Sequence, residues 1–334
     1  MRIAIVNDML MAREALRRVI ADVPGYSLVW TARDGEEAVK RCAADTPDLI
    51  LMDLIMPVMN GVEATRRIMA QAPCAILVVT ATVEGNTAMV FEALGAGALD
   101  AVQTPELAAT GQLGGANALK LKIETIRQLI FRSVPRRHPA GSSVPISPLV
   151  VIGASAGGPA ALAAILHKLP DDFPSPIVIV QHIDAQFAPS MAIWLDGQSP
   201  LTVRIANQGD RPQRRTALIA ASNDHLVFTD SQTLSYTPEP IACHYRPSVD
   251  VFFESVTAYW RGSVVAVLLT GMGRDGARGL KALRDAGALT IAQDAATCVV
   301  YGMPKAAAEL SAAVEILPLE KIASRLMSPA AFAG

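Results

Sequence analysis

Short, continuously apolar runs, each closed at its carboxyl end by polar residues, recur along this chain and dictate its fold class. Strands buried on both faces of a parallel sheet read as unbroken hydrophobic stretches, not as alternating ones. Residues 2–6 (Arg-Ile-Ala-Ile-Val) end in Asn7-Asp8, and Ser27-Leu28-Val29-Trp30 precedes a helical stretch from Asp34 to Ala44. Leu49-Ile50-Leu51-Met52 ends in Asp53, Ala75-Ile76-Leu77-Val78-Val79 ends in Thr80, and a fifth run near residues 98–102 ends in Gln103-Thr104-Pro105. Helical periodicity at Ala12, Ala15, Leu16, Val19 and Ile20 fills the first interval. Five strands alternating with helices over roughly 120 residues predict a flavodoxin-like doubly wound sheet.

The pattern restarts after a break. Pro148-Leu149-Val150-Val151-Ile152 leads into Gly153-Ala154-Ser155-Ala156-Gly157-Gly158 and then a helical stretch with Leu162, Ile165, Leu166 and Leu169, stopped by Pro170. Pro176-Ile177-Val178-Ile179-Val180 ends in Gln181-His182, and Ser263–Leu269 ends in Thr270-Gly271-Met272-Gly273-Arg274-Asp275-Gly276. A second, Rossmann-like parallel sheet is predicted. The intervening stretches Leu201–Ala206, Thr216–Ala221, Leu226–Thr229 and Thr233–Tyr236 read as strands, with a helix from Val249 for which Ser248 is an N-cap.

Polar residues at strand carboxyl ends are where ligands of open α/β sheets bind. Gly-x-Ser-x-Gly in a strand–turn–helix setting holds a serine on a sharp turn as a nucleophile, with the helix N-terminus aimed at a developing oxyanion. A glycine-rich turn of this kind also cradles phosphates, and Gly153-x-Ser155-x-x-Gly158 is one substitution from a dinucleotide fingerprint. The second strand, however, ends in His182 where that reading wants an acid, although Asp184 follows closely. Ser155, His182 and Asp275 each follow a predicted parallel strand, so they can converge as nucleophile, general base and orienting acid. Asp250 is the alternative orienting acid. In the first domain, Asp8 and Asp53 form an oxygen-rich pair suited to magnesium, and Thr80 lies at the next strand end.

The remaining composition narrows the class. A chain of 334 residues holds two domains, and the breaker-rich stretch 133–148 reads as the linker behind a helix from Ala118 to Phe131. A net charge of −2 offers no basic footprint for nucleic acid, and Arg136-Arg137 reads as a solvated linker pair. Cys42, Cys74, Cys243 and Cys298 have no paired spacing and read as small buried hydrophobes in a reducing cytosol. Neither a bilayer-length apolar run nor a signal peptide is present, so a cytoplasmic protein without membrane insertion is expected.

Residues 1–125 resemble a response-regulator receiver domain through Asp53-Leu54-Ile55-Met56-Pro57 and Asn60-Gly61; 126–147 are then the linker. Residues 148–334 resemble the catalytic domain of the chemotaxis-type protein-glutamate methylesterases, the CheB family. The likeness lies in Gly153–Gly158, Gln181-His182, Arg246-Pro247-Ser248-Val249-Asp250 and Leu269–Gly276. The resemblance implies hydrolysis of glutamate γ-methyl esters on chemoreceptor signalling helices, with release of methanol, and deamidation of receptor glutamines. It places the triad on Ser155, His182 and Asp275, the oxyanion donors on the backbone N–H groups around Ala156 and Met272, and Asn223-Asp224-His225 in a loop near the active site, with His225 as a candidate substrate contact. It makes Asp53 the phospho-acceptor, with Mg2+ at Asp8 and Asp53, Thr80 as the switch residue and a chemosensory histidine kinase as phosphodonor. It also implies that phosphorylation relieves inhibition by the receiver. No cofactor is implied for the esterase. The sequence departs from the family at Ala156, usually threonine, at Thr104, usually lysine, and at Asn7-Asp8, usually an acidic pair. Val6-Asn7-Asp8-Met9 and Gln103-Thr104-Pro105 are similar to the branch that serves Wsp-type surface-sensing arrays. The competing readings are a nucleotide- or phosphate-binding regulatory module without esterase activity and a non-catalytic scaffold whose receiver docks a kinase.

Overall fold

The apolar runs become the central strands of two parallel sheets. The computed structural model describes residues 1–81, 87–107, 113–131, 148–241, 243, 245–328 and 331. The chain divides into two compact units, Met1–Arg132 and Ser133–Gly334.

The first unit runs β1 (Arg2–Val6), α1 (Leu10–Ala21), β2 (Ser27–Ala32), α2 (Gly35–Ala44), β3 (Leu49–Met52), α3 (Gly61–Gln71), β4 (Ala75–Thr80), α4 (Thr87–Gly95) and β5 (Asp100–Gln103). A short β6 (Glu106–Leu107)–β7 (Leu113–Gly114) hairpin and α5 (Ala116–Phe131) follow. The five-stranded sheet has the order β2-β1-β3-β4-β5 with parallel pairing throughout, the flavodoxin-like arrangement. Ile3, Ile5, Leu49, Leu51, Leu77 and Val79 bury one sheet face against Leu16, Val19 and Ile20 of α1 and Leu119, Ile123 and Ile126 of α5. Side-chain caps set the starts of two helices: Asp34 accepts from the Glu37 N–H at 2.8 Å and Asn60 from the Glu63 N–H at 2.9 Å. Residue 125 lies within α5, and the linker residues 132–147 lie outside the described residues.

The second unit runs β8 (Leu149–Ala154), α6 (Gly158–Leu166), β9 (Ile177–Gln181), α7 (Ala188–Asp196), β10 (Thr202–Ile205), β11 (Thr216–Ile219), β12 (His225–Phe228), β13 (Leu234–Thr237) and α8 (Val249–Tyr259). It continues with β14 (Val264–Leu268), α9 (Ala277–Asp285), β15 (Leu289–Gln293), α10 (Met303–Glu309), β16 (Glu315–Leu317) and α11 (Leu319–Met327). The seven-stranded sheet has the order β10-β11-β9-β8-β14-β15-β16, all parallel, while β12 and β13 form a separate antiparallel hairpin. Strand order reverses between β8 and β14, which is where such sheets open a crevice beyond their carboxyl ends. Phe252, Phe253 and Val256 of α8 pack with Leu226, Phe228, Leu268 and Leu280 beneath that crevice.

All four cysteines are free, but the fold brings together two that are distant in sequence: the sulfurs of Cys42 and Cys74 lie 3.9 Å apart. Among the described residues, no helix is long and apolar enough to cross a membrane.

Candidate active site

Adjacent strands carry the two residues proposed as nucleophile and base. Ala154 of β8 pairs with Gln181 of β9, so Ser155 and His182 emerge side by side, and the His182 N–H donates to the Ala154 carbonyl at 3.0 Å. On the other flank, β14 pairs with β8, and the Ser155 N–H donates to the Thr270 carbonyl at 3.1 Å. The sharp turn predicted at the serine puts its unusual backbone elsewhere: Gly157, not Ser155, has positive φ, at +77°. A Cβ at Gly157 would meet Val299 Cβ at 2.7 Å, so this position requires glycine for both conformation and space. Helix α6 then starts at Gly158, and Ser155 keeps an ordinary backbone above its N-terminus.

The imidazole of His182 is held through Nε2, which donates to Asp275 Oδ2 at 2.8 Å. Its Nδ1 is buried without a hydrogen-bond partner, and no hydrogen bond joins it to the Ser155 hydroxyl in this structure. The open nitrogen is therefore Nδ1, the reverse of the serine-protease arrangement, in which Nδ1 faces the acid. Tyr245 stacks on the imidazole, its ring centroid 4.2 Å from that of His182 at an interplanar angle of 13°.

Asp275 is 6% exposed, and the start of α8 keeps it ionised. Its Oδ1 accepts from Ser248 Oγ at 2.8 Å and from the Asp250 N–H at 3.2 Å, and its Oδ2 also accepts from the Val249 N–H at 2.6 Å. Burial pushes the carboxyl up, but the hydrogen bonds from His182, Ser248 and Val249 outweigh it and hold it below the usual carboxylate range. A carboxylate against unsatisfied N–H groups of a helix N-terminus is a stable arrangement for the same reason.

The other polar candidates fall into supporting places. Ser248 is the N-cap of α8, accepting from the Val251 N–H at 3.3 Å, and it also donates to Asp275. His225 is fully buried at the start of β12: its Nδ1 accepts from the Ser248 N–H at 3.1 Å. Burial lowers its pKa, so it is a neutral structural acceptor, and the expectation of a substrate contact is corrected. The Asp250 side chain turns to α9, accepting from the Gly279 N–H at 2.7 Å, so it is not an alternative partner for His182. Burial, with the neighbouring Asp275 charge, pushes Asp250 up to about 7.

Two buried side chains brace the backbone of the site. Gln181 donates through Nε2 to the Ser155 carbonyl at 2.9 Å and the His182 carbonyl at 3.0 Å. Thr270 Oγ1 donates toward the Ala156 carbonyl at 2.9 Å and accepts from the Val300 N–H at 2.9 Å. Among the described residues, the N–H groups of Ala156 and Met272 donate to no other group. They lie on the two segments that flank Ser155.

Gly271 keeps the second segment close: a Cβ there would stand 2.7 Å from Ser155 Cβ and 2.3 Å from Met303 Sδ. Gly271→Ala is expected to lower the melting temperature, because Met303 is fully buried and Ser155 Cβ can move only with its backbone. Turnover should drop about 10- to 100-fold as Ser155 is displaced. Steady-state rates set against a thermal melt check this; wild-type turnover in the variant overturns the close-approach argument.

In the first unit, the Asp53 N–H donates to the Val6 carbonyl at 2.9 Å, which sets Asn7 and Asp53 at neighbouring strand ends. Asn7 Nδ2 donates to Asp53 Oδ2 at 2.8 Å, and the Leu54 N–H donates to Asp53 Oδ1 at 2.7 Å. Burial, reinforced by the Asp8 carboxylate, pushes Asp53 up to about 6 against hydrogen bonds from Leu54 and Ile55. A Cβ at Gly61 would lie 1.9 Å from the Asp53 carbonyl oxygen, which accounts for the glycine after Asn60. Thr80 is buried at the end of β4, and the Thr104 N–H donates to its carbonyl at 2.9 Å.

Both units match known families. The CheB methylesterase family profile matches residues 150–326, and the response regulator receiver domain profile matches residues 3–109. The chain belongs to the CheB methylesterase family. It is 56% identical over 332 residues to a protein-glutamate methylesterase/protein-glutamine glutaminase of Burkholderia pseudomallei, covering 98% of this chain and 97% of the relative. A Pseudomonas savastanoi relative of the same name is 56% identical over 331 residues, covering 98% of both chains. Among solved structures, the CheB methylesterase catalytic domain of Thermotoga maritima superposes with a TM-score of 0.52 at 36% identity. It covers 55% of this chain and 98% of its own.

Within this CheB-family chain, the sequence reads Tyr245-Arg246-Pro247-Ser248 as a substrate-side loop but misses the stack of Tyr245 on His182, the bracing roles of Gln181 and Thr270, and the second bond of Ser248. Gln181 and Ser248 sit inside segments that carry the family likeness, but nothing local says what their side chains touch. Tyr245 has only its position just ahead of Arg246-Pro247-Ser248 as a signal.

Proposed function

We propose that the chain hydrolyses glutamate γ-methyl esters on methyl-accepting chemoreceptors, releasing methanol, and that phosphorylation at Asp53 regulates it. The observation that carries this reading is the His182 imidazole, bonded to Asp275 through Nε2 with Nδ1 left without a partner, at the end of the strand paired with the one that Ser155 follows. Ser155 Oγ attacks the ester carbonyl while its proton passes to His182 Nδ1. Asp275 accepts from Nε2–H throughout and stabilises the imidazolium that forms. The N–H groups of Ala156 and Met272 donate to the carbonyl oxygen as it gains charge. The imidazolium returns the proton to the departing methoxide, giving methanol and an acyl-serine. A water, deprotonated by Nδ1, then releases the glutamate carboxylate and restores Ser155. A glutamine side chain enters the same path with ammonia as leaving group, in line with the double name of the relatives. Ala156 supplies a backbone donor, so the missing threonine hydroxyl leaves this scheme intact.

The test is methanol release from receptor carrying labelled methyl esters. Wild-type release, blocked by an organophosphonate that labels Ser155, supports the reading. Binding of a nicotinamide cofactor without ester hydrolysis would instead favour the nucleotide-binding alternative.

For the receiver, Asp53 accepts a phosphoryl group from a chemosensory histidine kinase, and Asp8 with Asp53 holds Mg2+. A buried carboxylate and an exposed one beside it suit a cation that keeps most of its waters and meets a phosphate. Asn7 turns its amide nitrogen to Asp53, so it offers that cation no oxygen. Mg2+ supplies charge neutralisation for the incoming phosphoryl group; Thr80 and Thr104 line the neighbouring strand ends. Thr104 lacks the ammonium that would grip the phosphoryl group, and Thr104→Lys is expected to strengthen activation.

The raised Asp53 pKa sets a pH dependence. Its folded-state pKa lies above the unfolded value, so its contribution to stability is present below about pH 4 and is lost as pH rises through about 6. The nucleophile is the ionised form. In the metal-free protein the Asp53 carboxyl, followed by NMR, should therefore titrate at about 6, and Asp8→Asn should move that titration to lower pH. An Asp53 titration at the ordinary carboxylate value of about 4 in the metal-free protein overturns this account.

A further inference from the structure

We infer that Tyr245 is a positioning residue for the hydrolytic reaction, holding the His182 imidazole in its working plane and tying it to the Met272 segment. The inference rests on the esterase reading above and extends it to a side chain outside the triad. Its ring lies 4.2 Å from the imidazole and only 13° from parallel, so turning the imidazole out of plane would drive its edge into the tyrosine face. The tyrosine hydroxyl donates to the Met272 carbonyl at 3.4 Å, on the residue whose N–H faces the developing oxyanion. Burial pushes the phenol pKa up, which keeps the hydroxyl a donor.

The placement follows from the chain. Tyr245 opens the six-residue segment 245–250, in which Ser248 Oγ and the N–H groups of Val249 and Asp250 all donate to Asp275. One short segment therefore grips both the base and its orienting acid, the first by a ring face and the second by hydrogen bonds. The stack also acts differently on the two protonation states. The negative face of an aromatic ring attracts a cation, so it favours the imidazolium present after proton transfer over the neutral ring present before it. An interaction stronger at that point than in the ground state appears in kcat and leaves KM nearly unchanged.

Tyr245→Leu and Tyr245→Phe in the full chain separate the ring from the hydroxyl. Tyr245→Leu is expected to lower kcat for methyl-ester hydrolysis about 10- to 100-fold, with KM within about threefold of wild type. Tyr245→Phe keeps the stack and should retain kcat within about threefold. A second readout does not depend on activity. With labelled histidine, the His182 ring protons, assigned among five histidines by loss in His182→Ala, should be shifted upfield by the stacked ring. That shift should persist in Tyr245→Phe and vanish in Tyr245→Leu. Wild-type kcat in Tyr245→Leu, a loss carried by KM alone, or His182 resonances unmoved by the leucine overturns the inference. If the wild-type protein releases no methanol from methyl-labelled receptor, the esterase reading fails instead, and the resonances still decide whether the stack exists.

Discussion

Ser155→Ala should lower ester hydrolysis by at least about 10⁴-fold while the protein folds as wild type, because loss of a triad nucleophile removes the covalent path entirely. The structural cost is small. Among the described residues the hydroxyl donates to no structural partner, and the side chain sits at the mouth of the turn with 7% exposure. The turn itself is held by main-chain bonds, Ser155 N–H to the Thr270 carbonyl and Gly158 N–H to the Ser155 carbonyl at 2.8 Å, and by Gln181. None of these needs the Ser155 hydroxyl. Methanol release from methyl-labelled receptor, with circular dichroism and a melting curve on the same sample, checks both halves. Hydrolysis within a few-fold of wild type would remove Ser155 from the mechanism and leave the glycine-rich turn as a phosphate cradle.

Asp275→Asn combines a catalytic and a structural loss. The amide has the shape of the carboxylate but neither its charge nor its second acceptor oxygen. In serine proteases the equivalent exchange costs on the order of 10⁴ in turnover, through the wrong tautomer of the base. At 6% exposure, Asp275 has little solvent to soften that penalty, so a loss of similar size is expected. The asparagine NH2 must also face one of the donors now bonded to Asp275: His182 Nε2–H, Ser248 Oγ–H, or the Val249 or Asp250 N–H. A buried donor left without an acceptor costs about 1–3 kcal/mol, so the melting temperature should fall as well. The sign with pH is defined. The folded-state pKa of Asp275 is depressed, so its stabilisation is present above the unfolded value of about 4 and is lost as pH falls below it. The stability gap between wild type and Asp275→Asn should therefore close in acid. Full activity in the variant, or a gap that stays constant down to acid pH, would reduce Asp275 to a turn residue.

Much of the architecture was legible because buried parallel strands leave an unmistakable trace. Residues 2–6, 49–52 and 75–80 are strands as their apolar runs predict, and the polar residue after each run stands at the strand's end. Strand β15 broke that trace. Thr290 interrupts it, yet is fully buried, its hydroxyl donating to the Ala312 carbonyl at 2.7 Å. A hydroxyl satisfied by a partner more than twenty residues away reads locally as a surface residue.

The candidate site divides along the same line. Sequence alone determined that a serine, a histidine and an aspartate each follow a buried strand, because strand ends are local features of polarity and periodicity. It equally determined the small residues around Ser155 and the cap at Ser248, which acts within one turn of chain. Tertiary structure decided that β9, β8 and β14 lie side by side, since strand order depends on how crossovers pack and not on any one segment. It also decided that Nε2 faces Asp275, that the start of α8 holds that acid ionised, that His225 is buried as an acceptor, and that Tyr245 covers the imidazole. Each of these contacts joins residues 20 or more positions apart. Their geometry comes from the packing of whole elements, which no local pattern encodes.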